Sequence, residues 1–197
     1  MLSARYRHVF KPFFEKVAKY VGIHPNLITL TSIAFAGLAA WYFAQADWLI
    51  GSIMAAIAGL LDALDGAVAR YWKKESKWGA YLDAMTDRFV EALVLFGVGW
   101  GTGYWAPVYI IMFASIMISY AKARAAMEIP VDNVNWPDLF ERAERLILII
   151  VGIPIAAAIR TPKTDWLYIY LWVLAILYLC VGVPQRMMRV KKRLAEA

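Results

Sequence analysis

Four aspartates stand inside stretches of chain that are otherwise apolar enough to cross a membrane, and this conflict constrains the fold more than any other feature. A bilayer core of about 30 Å takes about 20 helical residues to cross. Six stretches have that length, at residues 27–46, 50–72, 80–102, 105–127, 140–160 and 166–188. Asp62 and Asp65 fall in the second, Asp83 and Asp87 in the third. An Asp at mid-membrane costs ~2.5–3.5 kcal/mol on insertion scales, so each needs a compensating role.

Composition removes the alternatives to a membrane protein. Of the 197 residues, 62% are hydrophobic and 18% charged, against about 45–50% and 25% in soluble domains. Cys180 is the only cysteine, which excludes an internal disulfide and a thiolate zinc cluster. Pro25-Asn26, Asp47-Trp48, Gly101-Thr102-Gly103, Pro130, Pro137 and Pro162 punctuate the apolar stretches. The expected fold is an all-α integral membrane protein of six transmembrane helices, preceded by an N-terminal amphipathic interfacial helix.

That leading helix is expected over residues 1–25, with residues 26–197 forming one six-helix domain. Phe10, Phe13, Phe14, Val17 and Val21 recur opposite Lys11, Glu15, Lys16 and Lys19, as suits a helix lying in the headgroup layer. No apolar run of signal-peptide kind follows the basic start. Lys and Arg concentrate at the N-terminus, at 70–78, at 122–142 and at the C-terminus. The positive-inside rule then places both termini and the acid-bearing helix ends on the cytoplasmic face of the cell membrane. The net charge of +6 is accordingly an orientation signal, with no nucleic-acid partner expected.

Asp62 and Asp65 are three residues apart, and Asp83 and Asp87 four, so each pair shares a helical face. The short 71–78 turn is expected to make the two helices antiparallel neighbours and to bring all four carboxylates to one depth. Hard divalent cations with oxygen ligands would neutralise such a cluster, and four carboxylates suit two magnesium-like ions. A two-metal site favours displacement at phosphorus. Gly66, Ala69 and Gly79 leave room for a bulky ligand, and Arg70 offers a fork for phosphate. Two other readings remain at this point: acids lining a proton or cation pathway, and structural ion pairs Asp62–Arg70 and Asp87–Arg88.

The run Asp62-x2-Asp65-Gly66-x2-Ala69-Arg70-x8-Gly79-x3-Asp83-x3-Asp87 resembles the signature of the CDP-alcohol phosphotransferase family at each of its eight fixed positions over 26 residues. The resemblance covers nearly the whole chain. It implies a membrane enzyme, usually a homodimer, that moves a phosphoalcohol from a CDP-linked lipid to an acceptor hydroxyl and releases CMP. It further implies that Asp62, Asp65 and Asp83 are ligands of two Mg2+ (or Mn2+) ions. Asp87 would bind the second ion and accept the incoming hydroxyl's proton. Gly66, Arg70, Ser76 and Gly79 would contact the CDP moiety, and Pro25, Asn26, Leu27 and Ile28 the donor's phosphates and lipid end.

The second half bears on the acceptor. Ser119-Tyr120-Ala121-Lys122-Ala123-Arg124-Ala125, Glu141-Arg142-Ala143-Glu144-Arg145-Leu146 and Gln185-Arg186 each put cations near the end of a span. Three cations from three helices suit a dianionic phosphate. These stretches are similar to the phosphatidylinositol-phosphate synthase branch of the family. That likeness implies inositol phosphate as acceptor, held by Lys122, Arg145 and Arg186 with Arg142 as neighbour. The donor would be CDP-diacylglycerol or, as in archaeal relatives, CDP-archaeol. Glycerol phosphate as acceptor, or CDP-inositol as donor, would keep the family and change the substrate. Glu91, one turn past Asp87, is read as polar packing, with support of the metal ligands as the alternative. His8 and His24 are read as interfacial, and Trp48, Trp72, Trp100, Trp105, Trp166 and Tyr168 as interface anchors.

Overall fold

A computed structural model describes residues 12–128, 139–161 and 164–196. Phe10, Lys11 and the rest of 1–11 lie outside the described residues, as does the loop bounded by Pro130 and Pro137. Helix α1 covers 12–18. It is followed by α2 (Pro25–Ala44), α3 (Trp48–Tyr71), α4 (Lys77–Thr102), α5 (Trp105–Ala125) and α6 (Arg142–Ala158). A tight antiparallel pairing of β1 (Arg160–Thr161) with β2 (Thr164–Asp165) then turns the chain into α7 (Trp166–Leu177). One π-helical stretch, Tyr178–Gly182, joins α7 to α8 (Val183–Glu196), so the last span runs on as helix past its expected end at 188.

Local chemistry sets these boundaries. The imidazole Nδ1 of His24 accepts the Asn26 N–H at 3.3 Å, with Pro25 in the first turn of α2, where a missing N–H costs nothing. Asp47, Ser76 and Asp165 cap α3, α4 and α7 through their side-chain oxygens. Gly103 ends α4 in the left-handed region at φ 72°, a conformation that glycine adopts without penalty. Interior positions need no such help, since apolar side chains around each helix are matched by the bilayer or by a neighbouring helix.

Among the described residues, four helical stretches are long and apolar enough to cross a membrane: Pro25–Ala44, Trp48–Tyr71, Trp105–Ala125 and Trp166–Ala195. The expectation of six spans therefore stands only in part on length and composition. Helix α4 is long enough, at 26 residues, but carries Lys77, Asp83, Asp87, Arg88 and Glu91. Helix α6 has 17 residues and opens on Arg142. Both helices that fall short bear charge into the site, as α3 also does through Asp62 and Asp65.

One expectation of packing needs correction. Helices α3 and α4 touch over a short stretch only, because α2 lies along both of them. Small residues permit this. A Cβ on Gly97 would come within 2.4 Å of the Ala40 backbone, and one on Gly101 within 2.0 Å of the Phe43 carbonyl oxygen. Ala36, Ala39 and Phe43 of α2 are fully buried in the main core with Val94, Leu95 and Val98 of α4. A second cluster of Ala18, Ile28, Ala67 and Val68 fastens the end of α1 under α2 and α3. The Trp72 indole N–H reinforces it, donating to the Val21 carbonyl at 3.0 Å.

Candidate active site

Although α2 separates α3 from α4 for most of their length, the two converge where the acids lie. Carboxylate oxygens of Asp62, Asp83 and Asp87 all fall within 4.8 Å of one another. Asp65 does not join this trio as the expected fourfold convergence had it. Its Oδ2 accepts the hydroxyl of Thr29 from α2, and its side chain faces a cavity one step along the helix.

That cavity has a volume of about 170 Å3. Six residues expected to hold the CDP-lipid meet on its wall: Pro25, Asn26, Gly66, Arg70, Ser76 and Gly79. The glycines explain how. A Cβ on Gly79 would sit 3.1 Å from Ser76 Oγ and 3.3 Å from Asn26 Oδ1, and one on Gly66 would sit 3.3 Å from Arg70 Nη1. Each glycine therefore lets a polar group lie close against its helix. Ser76 Oγ also accepts the Gly79 N–H at 2.9 Å, so the hydroxyl that faces the cavity caps α4. Leu27 and Ile28 are not on the wall: Leu27 is exposed on the outer surface and Ile28 is buried under α1. Lys74 and Glu75 line the cavity and had no signal in the motif.

Asp83 belongs both to the cavity wall and to the acid trio. The two parts of the site are thus continuous, with the cavity on one side of Asp83 and Asp62 and Asp87 on the other.

The arginines expected around the acceptor's phosphate all have partners within the protein. Arg142 reaches across from α6 to Asp62 and stands 2.6 Å from Asp87 Oδ1, so it bridges the acids. Arg88 Nη1 holds Asp87 Oδ2 at 3.0 Å, one of the two ion pairs considered above, whereas Asp62 pairs with Arg142 in place of Arg70. Arg145 forms a two-pronged bond with Glu91, Nε to Oε1 at 2.8 Å and Nη2 to Oε2 at 2.9 Å. Arg186 donates to the Leu139 carbonyl at 2.8 Å and the Gly182 carbonyl at 3.2 Å. Lys122 is half-buried on the last turn of α5.

The donor set fits a divalent metal. It consists of oxygen ligands alone, as magnesium and manganese prefer. Asp62 Oδ1 is buried and makes no hydrogen bond among the described residues, and Asp87 Oδ1 meets only the Arg142 ion pair, so lone pairs remain in a place where water is scarce.

Comparison with known proteins agrees with this geometry. The CDP-alcohol phosphatidyltransferase family matches residues 22–182, and the chain belongs to that family. It is 34% identical over 156 residues to the archaetidylinositol phosphate synthase of Pyrococcus horikoshii, covering 77% of this chain and 81% of that one. It is 30% identical over 187 residues to the phosphatidylinositol phosphate synthase of Mycolicibacterium smegmatis, covering 89% and 81%. The Mycobacterium tuberculosis phosphatidylinositol phosphate synthase crystallised with CDP-DAG superposes with a TM-score of 0.75 at 26% identity, over 93% of this chain and 94% of that one. The same enzyme in complex with manganese and citrate gives 0.75 at 28% identity, over 90% and 88%. The chain is therefore a membrane transferase, and the reading of its acids as a cation pathway falls away.

Proposed function

We propose that this enzyme transfers a phosphatidyl or archaetidyl group from a CDP-linked lipid to inositol phosphate, releasing CMP, in phospholipid biosynthesis. The observation that carries the reading is Asp83's double membership: a cavity lined by six of the residues expected to hold the donor opens directly onto an acid cluster fit for divalent ions. Relatives named for making phosphatidylinositol phosphate or archaetidylinositol phosphate support the choice of acceptor.

In this reading Pro25, Asn26, Gly66, Arg70, Ser76 and Gly79 seat the CDP moiety, with the exposed Leu27 toward the lipid and Ile28 behind it under α1. Asp62, Asp65, Asp83 and Asp87 would hold two magnesium or manganese ions. Such ions, when bound, neutralise the diphosphate and stabilise the departing CMP. The acceptor oxygen forms a bond to the lipid-bearing phosphorus. The bond from that phosphorus to the oxygen shared with CMP breaks, and its electron pair leaves with CMP. The hydroxyl proton passes to the Asp87 carboxylate, whose oxygens Arg88 and Arg142 orient. Lys122, Arg145 and Arg186, with Arg142 at the seam, hold the acceptor's phosphate.

The working unit is taken to be a homodimer in the cell membrane, with residues 1–25 along the surface and 26–197 as the catalytic domain of six spans. Both termini and the site face the cytoplasm, where lysine and arginine concentrate.

The test is CMP release by purified enzyme, with CDP-diacylglycerol or CDP-archaeol as donor and inositol phosphate, glycerol phosphate or free inositol as acceptor. Release is expected with inositol phosphate, lost in a chelator and restored by magnesium or manganese. Release with glycerol phosphate alone would overturn the acceptor assignment.

A further inference from the structure

We propose that Glu91 is a positioning residue for the acceptor: it fixes Arg145 and, through Arg145, the register of α6 against α4. The proposal rests on the reading of Lys122, Arg145 and Arg186 as the acceptor's phosphate pocket.

Two acids on α4, Asp87 and Glu91, are four residues apart, and two arginines on α6, Arg142 and Arg145, are three apart. Each spacing returns to the same helical face, so two side-chain ion pairs link the helices as the rungs of a ladder. The Asp87–Arg142 rung lies within the acid cluster. The Glu91–Arg145 rung lies one turn away, about 5.4 Å along the helix, and Glu91 is not among the residues that line the donor cavity. The acceptor side can therefore be held in place without using a carboxylate that the metals need.

The second rung is also the more enclosed. The side chains are 3% exposed for Arg145 and 12% for Glu91. Burying an ion pair is weak evidence for stability, because desolvation consumes most of the attraction; fixing one geometry is its better-attested use. Here the geometry is heavily determined. Ser115 Oγ donates to Glu91 Oε1 at 2.7 Å. Arg145 Nη1 donates to the Phe140 carbonyl at 2.9 Å, and Nη2 to Ser119 Oγ at 3.3 Å. With its two bonds to Glu91, the guanidinium spends four bonds among the described residues on five N–H groups, which fixes its plane.

This network reaches the other two pocket cations. Ser119 lies three residues before Lys122 on the same face of α5. Arg186 Nη2 shares the Phe140 carbonyl oxygen with Arg145, at 3.5 Å. Phe140 itself has φ 56°, a strained value for an aromatic residue and one that surrounding contacts must maintain. Glu91 thus sits at the root of a set of bonds that joins α4, α5, α6 and the start of α8. Loss of its charge would free Arg145 and shift the pocket relative to Asp87, and misplacements of about 1 Å are enough to cost up to about 100-fold in rate.

The experiment is steady-state kinetics of Glu91→Gln, Glu91→Asp and Arg145→Gln, varying CDP-lipid and phosphate acceptor in turn. Glu91→Gln is expected to raise the acceptor KM about tenfold or more, with the CDP-lipid KM unchanged, and Glu91→Asp to fall between it and wild type. A merely structural Glu91 would lower kcat with the active fraction and leave both KM values alone, which overturns the proposal. If Arg145→Gln raises the acceptor KM and Glu91→Gln does not, only the positioning role fails. If Arg145→Gln leaves that KM unchanged, the pocket reading fails, and the positioning role with it. Should Glu91→Gln not fold, Glu91→Asp keeps the charge and draws it back from Arg145 by one methylene; an unchanged acceptor KM there also overturns the proposal. Running inositol phosphate beside glycerol phosphate separates an error about the acceptor from an error about Glu91, since the KM comparison is made on whichever is used.

Discussion

The same side chain is put to opposite uses at the two ends of this bundle. At one end Asp47 and Asp165 stand just before α3 and α7, where backbone N–H groups lack partners. Asp47 Oδ1 accepts the Ile50 N–H at 3.3 Å, and Asp165 Oδ1 accepts the Tyr168 N–H at 3.1 Å while its Oδ2 takes the Tyr104 hydroxyl. At the other end Asp62, Asp83 and Asp87 lie inside helices, where intrahelical bonds already use every backbone donor. Those carboxylates have nothing local to cap, crowd within 4.8 Å of one another, and need cations from elsewhere. An aspartate at a helix start is a local fastener. An aspartate inside an apolar helix is a ligand in search of charge.

The largest test of this contrast makes one substitution at both ends. Asp87→Asn keeps the shape and removes the proton acceptor, and loss of a general base costs about 10²- to 10⁴-fold in rate. Turnover is expected to fall by about 10³-fold, with CDP-lipid binding retained. Asp165→Asn should leave kcat at the wild-type value. Wild-type activity in Asp87→Asn would break the base assignment, and a large kcat loss in Asp165→Asn would break the division between the ends.

A middle-sized effect is expected at Thr29. Its hydroxyl holds Asp65 from a third helix, and loss of a partner that orients a metal ligand typically costs 10- to 100-fold in metal affinity. Thr29→Val should weaken manganese binding, measured by titration calorimetry, by about tenfold. Unchanged affinity would mean that Asp65 serves the cavity alone.

Thr29 also marks where sequence reading stopped. Four of the spans, the punctuation at Pro25, Asp47 and Gly103 and the acid spacing were legible because they are local: apolar length, capping residues and three- or four-residue intervals are written within one helix. The six cavity residues were legible through a family signature. What was not legible depends on contacts between distant positions. Thr29 and Asp65 are 36 residues apart, and Glu91 and Arg145 are 54 apart. No periodicity links such pairs, so the bond between Glu91 and Arg145 was not visible in the sequence. The wedge of α2 between α3 and α4 was hidden for a similar reason. It depends on Gly97 and Gly101 meeting Ala40 and Phe43, and small residues in an apolar helix do not announce their partner. The π-helical stretch at Tyr178–Gly182 had no local signal either.

The smallest effect belongs to the fastening end and is a matter of pH. The hydrogen bond from Tyr104, more than any other influence, holds the Asp165 carboxyl below its usual range, helped by N–H groups at the start of α7 and opposed by slight burial. The same bond raises the Tyr104 hydroxyl above its usual range. A lowered carboxyl contributes stability that is present above its unfolded pKa of about 3.9 and is lost as pH falls through the folded value. A raised tyrosine contributes stability that is present below its unfolded pKa of about 10 and is lost as pH rises through the folded value. The pair should therefore add to stability between about pH 4 and 10 and at neither extreme. Capping losses run about 0.5–2 kcal/mol, and exposure to solvent puts this one at the low end. In thermal melts Asp165→Asn should lower Tm by about 2 °C or less near neutral pH, with the gap closing below about pH 4. A gap that instead persisted unchanged into acid would assign the loss to side-chain packing against Tyr168, whose ring lies 4.9 Å from that of Tyr104, and not to the charge.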